Sequence, residues 1–288
     1  EDPLHAKPRI WAALCGIKRR QGRVARKLPT TVSMLRWIRE HYAQDDDGLI
    51  LFAAHVIGWF FLLRSGEYVA NASTQTNLAR LVKGSDLIPH HAGSPVSQFR
   101  IADEVVLHIS GSKTDQYNVG TIRNHYRSGA DLCPVVALDA LQRRFPERFG
   151  TGSEAHLPVF RRRDGSCLTR ESITNSLRAA AAAEGVDPTT IGSHSNRVGG
   201  ATAMLQAGCS HATIKRFGRW NSDAYQGYLW DSHEQQRGIG AEMIRAKFSL
   251  TGPAVAPKAP AVSLNSGIGE RSVGPLSSSP PTTSPVSD

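Results

Sequence analysis

The chain has 288 residues, 40% of them hydrophobic and 20% charged, and 34 Lys+Arg against 25 Asp+Glu leave a formal charge of +9. That length and apolar content suffice for one large or two small domains with a core of their own. The longest apolar run, 49–63, includes His55 and Gly58 and falls short of the roughly 20 residues that cross a bilayer, so it predicts a buried helix and no membrane partner.

In chain order, residues 1–28 come first, with eight Lys or Arg against Glu1 and Asp2. The chain opens on Glu1 and shows no apolar leader, so it is expected to be a piece of a longer protein. Leu35, Ile38 and Tyr42 recur at helical spacing behind Thr30-Thr31 and predict a helix over 31–42. Asp45-Asp46-Asp47 opens a second, deeply apolar helix running through Leu63. Val105, Leu107 and Ile109 alternate along a predicted strand, 104–110; residues 111–115 turn, and 118–123 return as its partner. Helical patterns resume over 134–145 and 169–184, and three or more short helices are expected within 194–247. Residues 251–288 hold seven Pro and eight Ser with no aromatic residue, which predicts a disordered tail. The charges of that tail cancel, so the excess of +9 belongs to residues 1–250. The predicted fold class is mainly α with a small antiparallel β-sheet.

Four cysteines, Cys15, Cys133, Cys167 and Cys209, lie far apart without a Cys-x-x-Cys pair. A disulfide framework and a zinc knuckle are therefore not expected, and a reducing intracellular compartment is. The positive charge is clustered: Lys18-Arg19-Arg20, then Arg161-Arg162-Arg163, then Lys215, Arg216 and Arg219. Three such stretches on a globular chain suggest a polyanion partner, because each phosphate contact releases counterions. Lys18-Arg19-Arg20 with Arg26-Lys27 also has the look of a bipartite nuclear import signal.

The most informative segment is Ser193-His194-Ser195-Asn196-Arg197-Val198-Gly199-Gly200-Ala201-Thr202. On a helix His194 and Arg197, at i and i+3, share a face, while Val198, Ala201 and Leu205 form the stripe that packs inward. Gly208 then ends that helix, Ser210 caps the next, and Gly218-Arg219-Trp220-Asn221-Ser222-Asp223 leads to Tyr225 and Tyr228. Upstream stands Leu62-Leu63-Arg64-Ser65-Gly66-Glu67, and between the two lies Lys113 in a predicted hairpin turn.

This set resembles the tyrosine recombinases, the phage-integrase family. The resemblance lies in a Leu-Arg-x-x-Glu box, a lysine in a β-turn, a His-x-x-Arg helix, a Trp after a Gly turn and a following tyrosine. It covers about residues 30–250, and the wording of Gly199-Gly200-Ala201-Thr202 and Gly218-Arg219-Trp220 is most similar to recombinases of DIRS-type and Crypton-type eukaryotic elements. It implies a catalytic domain over 31–250, with residues 1–30 as the end of an N-terminal DNA-clamping domain and its basic linker. It also implies Arg64, Lys113, His194, Arg197, Trp220 and Tyr228 as the catalytic set. Lys18, Arg19, Arg20, Arg161, Arg162, Arg163, Lys215 and Arg219 are the candidate DNA contacts. Double-stranded DNA is the expected partner, bound by a tetramer, in the nucleus of a eukaryotic host or otherwise in the cytoplasm or nucleoid.

Those residue types suit phosphoryl transfer. A tyrosine is only about 0.1% ionised at neutral pH, so its attack needs a proton acceptor or a positive field. His194 is expected either to accept that proton or to hold the phosphate by a hydrogen bond. Arg64 and Arg197 offer planar forks to the non-bridging oxygens, and Lys113 a proton to the leaving 5′-oxygen. With that much positive charge neither a metal nor a cofactor is expected. Two departures stand out: Asn196 occupies a position that is usually Leu in the family, and eight rather than about nine residues separate Trp220 from Tyr228. They leave open a decayed or domesticated DNA-binding protein as the alternative, and a topoisomerase-like relaxing enzyme as a third reading.

Overall fold

The computed structural model describes residues 8–20, 26–71, 75–110 and 120–230, with the side chains of 8, 18, 19 and 75–77 excepted. All of them fall within one unit, Glu1–Gly238. The predicted tail 251–288, the helices expected beyond 230 and the turn carrying Lys113 lie outside the described residues.

α1 (Pro8–Arg20) precedes α2 (Val32–Tyr42). The hydroxyl of Thr31, not Thr30, caps α2 by accepting from the Met34 amide at 3.1 Å, and α2 turns Met34, Leu35 and Ile38 into the core. α3 (Asp46–Phe60) is capped by the Asp45 carboxylate, carries two further aspartates in its first turn and is buried on nearly every side. A helix apolar all round belongs at the centre of a fold. α3 is flanked by α2, α5 (Pro134–Arg144) and α7 (Ser195–Gln206). It stops at Phe60, three residues short of the expected Leu63, because Leu62 takes the left-handed conformation at φ 48°. Residues 61–63 are buried in a turn, so their hydrophobicity reports burial and not helix.

After the single turn of α4 (Ser65–Tyr68) come four antiparallel strands: β1 (Leu87–His91), β2 (Ser94–Pro95), β3 (Glu104–Ile109) and β4 (Thr121–Tyr126), in the order β2-β1-β3-β4. The register pairs Ile109 with Thr121 and Glu104 with Tyr126, so the returning strand starts three residues later than expected. α6 (Arg170–Ala183) is capped by Thr169 and packs beside α2, and α8 (His211–Phe217) is capped by Ser210. A 3₁₀ turn, Asp223–Tyr228, replaces the expected tyrosine helix, with Ser222 as its cap. The fold is mainly helical with a small antiparallel sheet, as the sequence predicts. No described helix is long and apolar enough to cross a membrane.

Two cores result. The larger gathers α2, α3, α5, α6 and the inner face of the sheet. The smaller joins Leu62, Ala201, Ile214 and Tyr225, with Phe217, Trp220 and Leu229 packed against it. Its function is positional: it fixes the segment after α8 to the end of α3.

Candidate active site

The site forms where α3 ends. The turn at Leu62 presents one carbonyl to two guanidiniums: Arg197 Nη1 donates to it, and Arg219 Nη2 does so at 3.3 Å. Arg64 follows immediately, as the residue before α4. The buried Glu67 carboxylate accepts from the Arg64 backbone amide at 2.8 Å, from Arg64 Nη1 at 3.1 Å and from Arg219 Nη2 at 2.8 Å. Arg197 is 1% exposed and also donates through Nη2 to the Gly218 carbonyl. Arg64 Nη2 also reaches the Arg219 carbonyl at 3.5 Å, so three guanidiniums converge on one carboxylate and three carbonyls.

Local sequence explains that convergence. Gly199 and Gly200 let α7 lie directly on α3: a methyl on Gly199 would strike the Thr30 carbonyl and the Trp59 indole, and one on Gly200 the Trp59 carbonyl. Close approach of the two backbones brings Arg197, two residues earlier, under Leu62. Arg219 is left-handed at φ 60°, a conformation that costs a non-glycine residue about 1 kcal/mol or more. In exchange its side chain turns inward to Glu67 rather than outward to solvent. Its Nε and Nη1 are buried without a hydrogen-bond partner.

The aromatic residues build the opposite wall. The Arg197 guanidinium lies 4.2 Å from the Trp220 ring centroid, Trp220 lies 5.4 Å from Tyr228, and Tyr228 meets His194 edge-on at 4.8 Å. Arginine, indole, phenol and imidazole therefore form one continuous chain of contacts, in which the cation faces the π-cloud of the indole. Tyr225, three residues earlier, is buried in the smaller core, and its hydroxyl lies 3.2 Å from His211 Nδ1. Tyr228 is only half-buried. The two tyrosines are thus physically distinct: one plugs the core, the other faces the imidazole.

Electrostatics follow from burial among like charges. His194 is held down to about 4 by burial and then by Arg197 and Arg64, so it is neutral at neutral pH with a lone pair available. Arg197 is lowered to about 9 by burial, then by Arg219 and Arg64, and still carries its charge at pH 7. Burial likewise lowers Arg219, partly offset by Glu67. The cluster has three cations against one carboxylate, an excess of positive charge that a bound anion would relieve.

Arg64, His194, Arg197, Trp220 and Tyr228 are therefore brought together, and Lys113 lies outside the described residues. Arg219, expected as a surface contact, is buried inside this site instead. The remaining candidate DNA contacts lie apart from the site or are paired. Arg161 binds Glu154 at 2.6 Å, Arg162 binds the Ser172 hydroxyl at 2.7 Å, and Arg163 pairs with Asp46 at the far end of α3. Lys215 pairs with Asp223 at 2.8 Å, Arg20 is exposed on α1, and the side chains of Lys18 and Arg19 are outside the description. Sequence reading missed the sharing of Glu67 between two arginines and the role of Arg123 on β4. Arg123 donates to the carbonyls of Phe217 at 3.1 Å and Arg216 at 2.6 Å, tying the sheet to the end of α8. Among the described residues no three His, Cys, Asp or Glu side chains come together to hold a metal.

No protein-family model matches this sequence. No curated protein matches it either. Solved structures do. The chain is similar to the XerH site-specific recombinase in a post-cleavage complex with palindromic difH substrate, at TM-score 0.53 and 17% identity, over 78% of this chain and 55% of that one. It is also similar to the XerA recombinase, at TM-score 0.51 and 14% identity, over 78% of this chain and 66% of that one. The chain thus spans between about half and two thirds of the length of these structures. Its fold is that of the tyrosine recombinase catalytic domain.

Proposed function

We propose that this chain is the catalytic part of a tyrosine recombinase, a DNA strand transferase that acts through a 3′-phosphotyrosyl intermediate. The observation that supports this most is the chain of contacts Arg197–Trp220–Tyr228–His194 beside Arg64, at 4.2, 5.4 and 4.8 Å. In this reading Tyr228 is the nucleophile. Its phenolic oxygen attacks the scissile phosphorus as His194 takes the proton or braces the phosphate. Arg64 and Arg197 hold the non-bridging oxygens, and the P–O5′ bond breaks as Lys113 protonates the leaving oxygen. The 5′-hydroxyl of another strand then attacks the phosphotyrosine and releases the enzyme, so bond energy is conserved without a cofactor. The reaction joins a mobile element of the DIRS or Crypton kind to DNA, with a tetramer holding the exchanging duplexes in the nucleus of a eukaryotic host.

A duplex nicked just 3′ of the cleavage site tests the reading, because the short released fragment that carries the 5′-hydroxyl diffuses away and traps the adduct. Tyr228→Phe removes only the nucleophilic oxygen and is expected to bind DNA normally and form no denaturant-resistant band. Tyr225→Phe is expected to form the band, with stability reduced by about 1 kcal/mol for the lost contact with His211. A band from the Tyr228 variant that is absent from the Tyr225 variant reverses the assignment. No band from the parent chain overturns the enzymatic reading in favour of a DNA-binding protein of the same fold.

A further inference from the structure

Residues 26–30 precede α2 without regular structure, yet their anchoring contacts reach α3 and two segments far along the chain, 189–195 and 226–230. Thr30 donates its amide to the Ser195 carbonyl at 3.0 Å, and its own carbonyl accepts from Trp59 Nε1 at 3.1 Å. Leu28 donates to the Thr190 carbonyl at 3.0 Å, and Lys27 Nζ to the Thr189 carbonyl at 2.7 Å. Arg26 reaches further. Its Nε donates to the Gly227 carbonyl at 2.8 Å, and Nη2 donates to that carbonyl too, to Gln226 at 3.3 Å and to Leu229 at 3.5 Å. The guanidinium also lies 5.3 Å from the Trp230 ring centroid.

Gln226 and Gly227 belong to the last residues of the 3₁₀ turn that bears Tyr228, and Leu229 is the residue that ends it, its own amide donating to the Gln226 carbonyl at 3.3 Å. Carbonyls at the end of a helical turn lack partners within it and carry partial negative charge, so a cation there is favourable. The start of the turn is held by the Ser222 cap and its middle by the buried Tyr225. At its end, Thr202 reaches the Tyr228 carbonyl at 3.3 Å, and Arg26 takes the carbonyls on either side. A cap normally comes from a neighbouring residue; this one comes from about 200 positions away, on the basic linker.

We propose that Arg26 is a positioning residue for Tyr228, a cap delivered by the linker that fixes the end of the tyrosine-bearing turn. The inference rests on Tyr228 being the nucleophile. It gives the linker a second role besides any contact with DNA: it couples the placement of the N-terminal segment to the seating of the reactive tyrosine. A lysine cannot substitute, because one ammonium is a point donor and does not bridge several carbonyls as the planar fork does.

The test uses the full chain with Arg26→Lys, Arg26→Ala and, as a control for linker charge, Lys27→Ala. Single-turnover adduct formation on the nicked duplex at saturating protein is measured beside DNA affinity, and hydrogen exchange of the Leu229 amide is followed without DNA. Arg26→Lys keeps the charge and is expected to hold DNA affinity within about twofold while adduct formation slows roughly tenfold, the worth of one charged hydrogen bond. Arg26→Ala is expected to slow the adduct as much and to speed Leu229 exchange by a similar factor. Lys27→Ala is expected to weaken affinity and leave the saturated rate alone. Adduct formation that is unchanged or faster in Arg26→Ala overturns the proposal, the faster outcome marking an inhibitory contact. If the parent itself forms no adduct, the strand-transfer reading is what fails, and unchanged Leu229 exchange still overturns the cap.

Discussion

At the scale of single residues, the chemistry depends on a histidine that burial keeps neutral. His194 sits at the start of α7 between two arginines and is held at about 4, with desolvation the larger cause. His55, fully buried, is also held at about 4 by burial, and His125 is lowered for the same reason. In the unfolded chain all three take up a proton near pH 6.5. Because the unfolded state then binds protons that the fold refuses, stability is complete above pH 6.5 and falls as pH drops toward 4. His194 and His55 each contribute a slope of up to about 1.4 kcal/mol per pH unit in that window. Urea midpoints at pH 7 and pH 5 are expected to differ clearly for the parent and less for His194→Gln, which does not titrate. Equal losses in the two proteins would place His194 in water. The carboxylates act in a lower window: Arg36 and Arg39 hold Asp131 down to about 2, so its contribution is lost only below pH 4.

At the scale of elements, Asn196 explains itself. Ser176 donates its hydroxyl to the carbonyls of Ser172 and Ile173, so at His55 Nε2, 2.8 Å away, it accepts. His55 Nδ1 is then the bare nitrogen, and it accepts from Asn196 Nδ2 at 3.0 Å, while the same amide donates to the Tyr68 hydroxyl at 3.2 Å. One amide thus ties α7, which carries Arg197, to α3 and α4, the elements on either side of Leu62 and Arg64. Asn196→Leu, the apolar residue usual at this position in the resembled family, is expected to destabilise by about 1–3 kcal/mol, because it strands a buried imidazole nitrogen and a phenol. A Leu variant with the parent's urea midpoint would show that the network contributes nothing. Much of this region was legible in the sequence, since His194, Arg197, Trp220 and Tyr228 lie close together and their helical and turn signals are local. Arg219 was not legible: its inward course depends on a left-handed φ and on Glu67, 152 positions away. β1 and β2 escaped notice because Pro89, His90, His91 and Pro95 break the alternation that marks a strand.

At the scale of the whole molecule, the excess of +9 is not spread as the sequence clusters suggest. Arg144 and Arg163 are spent on Asp46, Arg161 on Glu154, Arg36 and Arg39 on Asp131, and Lys215 on Asp223. Arg163 and Asp46 also sit at the start of α3, a helix of 15 residues, whereas Leu62 and Arg64 follow its end, about 22 Å along the axis. The arginine cluster keeps three guanidiniums against the one carboxylate of Glu67, and the sequence before Arg26 holds six basic residues against two acidic ones. If DNA lies across both, affinity falls with salt at a log–log slope of about −0.9 per neutralised phosphate, which amounts to orders of magnitude between roughly 50 and 200 mM. Deleting residues 1–25 spares Arg26 and removes six basic residues against two acidic ones, so the slope is expected to flatten by several contacts. Deleting 251–288, whose charges cancel, is expected to leave it unchanged. Neutralising Arg161, Arg162 and Arg163 to Gln should shift it by less than one contact, because two of those charges already face carboxylates, Glu154 and Asp46. Fluorescence anisotropy on one duplex across a salt series measures all four proteins. A slope lost with the Arg161–Arg163 cluster and kept without residues 1–25 would move the DNA to the opposite end of α3, away from Tyr228, and with it the case that this face is where strands are cut.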